Sequence, residues 1–194
     1  MILIADENVV AFHQRTLSLS TSRALLVELL LIAAAIVFPA LAHLADAPVR
    51  FLLPMQCSVI LAGLIYCWRG GVLAGLVAPI ASFLLSGSPS LSVLPSMTAE
   101  LATYGFVTGI FREKVDGNPF LSVVIALVAG RAFFVVFVLI TKRVTTNYML
   151  CFTAALFPGL IAAAYQIFLL PLLARGWIKR QLRRTGPSSN AARQ

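Results

Sequence analysis

The sequence predicts an all-α membrane protein, a bundle of six transmembrane helices with both chain ends on the cytoplasmic side. Three observations carry that expectation. Of 194 residues, 60% are apolar and only 11% charged, against about 45–50% and about 25% in an average soluble domain. The apolar residues gather into six runs near the length a bilayer core requires, about 20 residues per helix. The basic residues collect in one alternate set of the links between those runs. A soluble fold of this size would expose most of the apolar surplus. That excludes a soluble enzyme, a nucleic-acid-binding domain and a disordered chain. The net charge of +8 would suggest nucleic acid in a soluble protein; here the positive-inside bias accounts for it.

In chain order, 1–22 is a polar cytoplasmic segment carrying Asp6 and Glu7, without the pattern of a cleavable signal peptide. The first span runs from Ala24 to Leu44, interrupted by Glu28 and Pro39, and the second from Phe51 to Trp68. Arg69-Gly70-Gly71 supplies a tight turn into the third, Val72 to Leu85. Ser86 to Pro95 is a Ser/Pro/Gly loop without helical period, and the fourth span is Ser96 to Phe111. A charged link from Arg112 to Pro119 leads to the fifth, Phe120 to Thr141, with Arg131 in its middle. After Lys142 to Asn147, the sixth extends from Tyr148 to Ala174. The transmembrane unit is thus 23–176, followed by a basic, mobile cytoplasmic tail over 177–194.

With both ends inside, eleven Lys and Arg face the cytoplasm, three (Arg50, Lys142, Arg143) face out, and Arg131 lies within the membrane. This asymmetry sets the orientation and places the chain in the inner (cytoplasmic) membrane. Gly71 and Gly75, Gly105 and Gly109, and Ala155, Gly159 and Ala163 recur at four-residue spacing. That spacing lets helix backbones approach closely in lipid. Cys57, Cys67 and Cys151 form no CxxC and are taken as small packing residues. No P-loop, HExxH or GxSxG is present, and His13 and His43 fall on opposite sides of the membrane. Neither catalysis nor a bound metal or cofactor is therefore expected of this chain.

The informative residues are ionisable groups at membrane depth. Arg131 stands near the midplane, where an arginine costs about 2.5–3.5 kcal/mol on insertion scales, so it must face the bundle. Glu100 lies on the fourth span with Tyr104 one turn deeper on the same face. Two compatible readings stand side by side: Glu100 and Arg131 neutralise one another, or they line an outward-opening pocket and bind a polar ligand. Gln56 and His43, near the outer ends of their helices, either join that pocket or sit in interfacial water. Gln166 requires a helix-to-helix hydrogen bond. Glu28, near the cytoplasmic end, snorkels or meets Arg23 and is not a ligand group.

In this arrangement the residues resemble a known family. Phe51-Leu52-Leu53-Pro54-Met55, Leu61-Ala62-Gly63-Leu64 and Gly71-Val72-Leu73-Ala74-Gly75 with Pro79 and Ser82 are similar to the S components of energy-coupling factor (ECF) vitamin transporters. So are Gly87-Ser88-Pro89, Pro95-Ser96-Met97-Thr98-Ala99-Glu100-Leu101, Tyr104-Gly105, Gly130-Arg131, and Pro158-Gly159 to Gln166 and Pro171. The resemblance covers His43 to Ala174. It implies a membrane subunit that captures a vitamin or vitamin precursor from outside. It also implies partners, namely a transmembrane coupling subunit and two ABC-type ATPases that hydrolyse the ATP, with toppling in the membrane to release substrate inward. By position it assigns substrate binding to Glu100, Tyr104, Arg131, Gln56, His43 and Met97, and a gating loop to Gly87, Ser88, Pro89 and Pro95. The chain departs from the family where Ala33-Ala34-Ala35 lacks the Ala-xxx-Ala of the coupling face, and where Gly87-Ser88-Pro89 replaces Gly-Met-Pro. Two other classes compete: a non-transport membrane module, such as a sensor input or assembly factor, and a solitary transporter working without ATPases.

Overall fold

The computed structural model describes residues 22–44, 54–87, 89–114, 118–141 and 148–185. They form five helices and, among the described residues, no strand: α1 Ser22–Leu44, α2 Pro54–Ser86, α3 Leu94–Lys114, α4 Pro119–Thr141 and α5 Tyr148–Thr185. Five of the six apolar runs match helix starts to within three residues. The second and third runs share α2, and the sixth continues helically past Ala174 to Thr185. The expected N-terminal segment, the link 142–147 and the last residues, 186–194, lie outside the described residues.

α2 is one element in name but two arms in space. Its backbone leaves helical geometry at Tyr66 (φ −113°) and Cys67, whose φ of 64° lies in the left-handed region. Residues 63 and 71 would stand about 12 Å apart along a straight helix. Instead, a Cβ on either glycine would meet the backbone of Gly105, so the chain folds back between them. The turn was expected at Arg69-Gly70-Gly71, yet it falls at Tyr66-Cys67. The glycines are needed elsewhere: Gly70 lies against the Tyr66 side chain and the Glu28 carboxylate, and Gly71 against Gly105. Trp68 steadies the bend by an edge-to-face contact with Phe106, with the Arg69 guanidinium over its ring.

The four-residue glycine spacing is realised as close packing. Gly71 abuts Gly105, Gly75 abuts Leu101 and Ala102, and Gly109 abuts the Cys67–Trp68 backbone. The α2–α3 interface is accordingly the most extensive in the molecule. α3 then packs on α4, α4 on α5 and α5 back on α2, while α1 packs on α2 from outside that ring. Local chemistry sets the helix ends. Gly87 adopts φ 68° and donates its N–H to the Phe83 carbonyl, a left-handed cap on α2. Asn118 caps α4 by accepting the Phe120 N–H, with Pro119 in the first helical position. Thr98, Thr103 and Thr108 each return a hydroxyl bond to the carbonyl four residues back, satisfying themselves within α3.

The surface is apolar and the interior holds polar groups. Leu84, Leu85, Ile140, Phe168, Leu30 and Val128 are among the exposed side chains, whereas Glu28, Gln56, Thr108, Arg112, Ser122 and Gln166 are buried. By length and composition two helical stretches, Met55–Ser86, which contains the bend, and Pro119–Phe137, are long and apolar enough to cross a membrane, and Ala24–Phe38 is a shorter apolar one. Two charged residues depart from expectation. Arg112, placed in an aqueous link by the sequence, is buried within α3. Glu28 does not snorkel: it is 2% exposed, and neither carboxylate oxygen finds a hydrogen-bond partner among the described residues, while the Arg23 side chain, its other expected partner, lies outside them.

Candidate functional site

The ring of α2, α3, α4 and α5 brings one residue set together. On α3, Glu100 and Tyr104 are one turn apart, and the Tyr104 hydroxyl donates to Glu100 Oε1 at 2.7 Å. The same oxygen accepts from Arg131 Nη1 on α4 at 3.2 Å, which is also the ion pair between these helices. Tyr104 is almost fully buried, and the Gln56 amide of α2 is a further hydrogen-bond partner of its hydroxyl. Two helices, α3 and α4, thus converge on one carboxylate, and α2 reaches the phenol beside it. Charge-assisted hydrogen bonds of this kind are roughly twice as strong as neutral ones.

Two glycines make the convergence possible. A Cβ at Gly130 would strike the Tyr104 ring, and one at Gly159 would strike the Arg131 guanidinium. Gly130 therefore lets the phenol lie flat against α4, and Gly159 lets α5 close over the arginine. The sequence marks Gly159 only as part of a small-residue stripe; its role at the arginine follows from a pairing between helices that no local spacing reveals.

A second polar group adjoins the first. Gln166, fully buried on α5, donates Nε2 to the Cys57 sulfur at 3.3 Å, and the Tyr165 hydroxyl lies 3.6 Å from that sulfur. The expected helix-to-helix bond of Gln166 is present. Its partner is Cys57, which the sequence places among simple packing residues. Gln166 Oε1 is buried and makes no hydrogen bond among the described residues. Cys57 follows Gln56 directly, so the two polar groups are continuous along α2.

The other nominated residues are less central. Met97 packs, partly buried, on the hydrophobic core. Gly87 caps α2, Pro89 follows in the connection, and Pro95 lies in the first turn of α3. The Ser90 carbonyl accepts from both Val93 and Leu94, which folds that connection tightly onto α3. The His43 side chain and Ser88 lie outside the described residues.

Chemically, the centre is a binding arrangement with unused capacity. Arg131 uses one of its five N–H donors on Glu100 and makes no other hydrogen bond among the described residues. Among the described residues Glu100 accepts both its bonds on Oε1, leaving Oε2 without one. Neither side chain is sealed: 23% of Arg131 and 15% of Glu100 remain accessible. Among the described residues, no three His, Cys, Asp or Glu side chains gather to hold a metal ion. Comparison with family models, with curated proteins and with solved structures finds no match for this chain.

Proposed function

We propose that this chain is a six-spanning membrane protein that captures a small polar molecule bearing both a negatively charged and a hydrogen-donating group. The folded-back α2 supplies two of the six spans, and the basic links place the Glu100 end of α3 on the outer side. One observation carries the reading. An arginine and a glutamate are held at the meeting point of four helices, yet each retains open hydrogen-bonding positions. A pair kept only to neutralise charge gains nothing from staying accessible. An arginine fork with free donors suits a carboxylate or phosphate, while the free Glu100 oxygen takes an amine or hydroxyl. The residue order that resembles the ECF S components extends this to a vitamin or vitamin precursor, delivered to a coupling subunit and two ABC-type ATPases.

The test is calorimetric titration of the purified chain, without ATP, against a panel of water-soluble vitamins and their precursors. Stoichiometric binding of one compound is expected, weakened at least about tenfold by Arg131→Ala or Glu100→Ala, as loss of one charge-assisted bond requires. A panel without a binder overturns the reading. A second function, a sensor input or assembly module, is favoured by the helical continuation of α5 through the basic residues to Thr185, a ready contact for a soluble partner. Co-purification separates the two: ATP-binding subunits favour transport, and a kinase or assembly client favours the module.

A further inference from the structure

The Glu100–Arg131 pair specifies more of its ligand than one anion and one donor. Among the described residues, the polar atoms buried without a partner include none from this pair, so its accessible surface contains the unused oxygen and nitrogens. The shared Oε1 sets how far apart those positions stand. Arg131 Nη1 is 3.2 Å from Oε1, and the two oxygens of a carboxylate are about 2.2 Å apart. The free Oε2 is therefore within about 5.5 Å of a nitrogen that still carries an unused hydrogen. A ligand that meets both positions at once carries its donor and its anion on the same or neighbouring carbons. A longer spacer has to fold back and gives up chain entropy to do so.

Charge balance narrows the ligand further. No other Asp, Glu, Lys or Arg lies within ten residues of Glu100 or of Arg131. α2 carries only Arg69, at its bend, and α5 carries no charged residue before Arg175. The phenol that donates to Glu100 and the amide beside it are neutral, so the empty site sums to zero. A ligand with net charge would leave that charge uncompensated in a low-dielectric interior. A zwitterion brings an anion for the arginine, a cation for the glutamate and no net charge.

The neighbouring turns decide what surrounds the rest of the ligand. α3 and α4, separated by residues 115–118 and packed on one another, run in opposite directions. Met97 precedes Glu100 by three residues and Phe134 follows Arg131 by three, each on the face of its helix that bears the charge. Both stand toward the same end of the helix pair, and both are half-buried. We infer that the ligand is an α-amino acid with an apolar side chain. Its carboxylate meets the Arg131 guanidinium, its ammonium meets Glu100 Oε2, and its side chain lies between Met97 and Phe134. The inference rests on the capture reading of this site and does not depend on the extension to vitamins.

The experiment is calorimetric titration of the purified chain with L-phenylalanine, L-leucine, L-methionine and L-tryptophan, beside the vitamin panel. Stoichiometric binding of at least one of the four is expected. If phenylalanine binds, phenethylamine, phenylpropionate and phenyllactate, which lack the carboxylate, the amine or the ammonium charge, should each bind at least about tenfold more weakly. So should para-aminomethyl-phenylacetate, a zwitterion whose charges are held apart across the ring. Glu100→Gln leaves the site with net positive charge and should reverse the preference, taking phenylpropionate over phenylalanine. A merely structural role for Glu100 predicts no such reversal, and if that variant fails to fold the analogue series on the parent chain decides alone. Equal binding of the separated zwitterion, or of the single-charge analogues, overturns the inference. The two failures are distinguishable. A vitamin that binds through Arg131 and Glu100 while all four amino acids do not refutes the amino-acid assignment alone, whereas no binding by any compound refutes the capture reading beneath it.

Discussion

Replacing Gly105 with alanine sets the packing of α2 on α3 against helix propensity, and the structure says which prevails. The added methyl would lie 2.8 Å from the Gly71 Cα and closer still to its carbonyl. These are backbone atoms of a packed helix and cannot rotate aside as the tip of a side chain can. Relieving the clash moves the two helices apart by roughly 1 Å, and a gap of that size forfeits about a quarter to a half of each dispersion contact across the seam. Overpacking costs about 1–3 kcal/mol, and this site, methyl against backbone, belongs at the upper end. Alanine recovers about 1 kcal/mol over glycine in a helix interior, leaving a net loss of about 2 kcal/mol. For a chain of this size that lowers Tm by about 4–8 °C. The assay is thermal unfolding in detergent followed by circular dichroism, with Gly176→Ala alongside. A Cβ at Gly176 meets nothing within 4 Å, so only propensity acts and Tm should rise by about 2–4 °C. If Gly105→Ala is as stable as Gly176→Ala, the two arms of α2 do not meet on Gly105 and the folded-back path of that helix is wrong.

The binding site yields further outcomes. Arg131→Lys keeps the charge and loses the planar fork, so it should bind ligand more weakly than the parent and more strongly than Arg131→Ala, by calorimetry. Gly159→Ala puts a methyl where the guanidinium lies and should weaken ligand binding about tenfold by displacing the arginine from Glu100. In an Arg131→Ala background the same change should have no further effect, and an equal loss there would show that Gly159 acts elsewhere. Asn118→Ala removes the cap on α4 and should cost about 1 kcal/mol, a fall in Tm of about 2–4 °C by the same unfolding assay, with ligand affinity unchanged.

Much of the helical content is legible from residues alone because it depends on short-range properties. Apolar runs of bilayer length, Pro119 after Asn118, and Gly87 after a run of leucines each specify an element or its end without reference to the rest of the chain. Glu100 and Tyr104 share a face at any i, i+4 spacing, so their bond was equally open to inspection. Arg131 could be singled out because a charge in an apolar run demands a partner. Its assignment to Glu100, 31 residues away, was one of two readings the sequence left standing.

Other features depend on which surfaces meet. The bend at Tyr66-Cys67 occupies residues without turn chemistry, because close approach to Gly105 claims Gly71 and packing against Tyr66 and Glu28 claims Gly70. Gly130 and Gly159 look like any small residues in a helix until Tyr104 and Arg131 are placed against them. Cys57 looks apolar until Gln166 donates to its sulfur. Composition and periodicity by themselves determined an all-helical chain with charges stranded in apolar runs, since hydropathy and helical period are properties of neighbouring residues. Which glycine opens space for which side chain, and that the Arg131–Glu100 pair keeps free donors and a free oxygen, was decided only by tertiary contact, because those facts are distances between helices far apart in the chain.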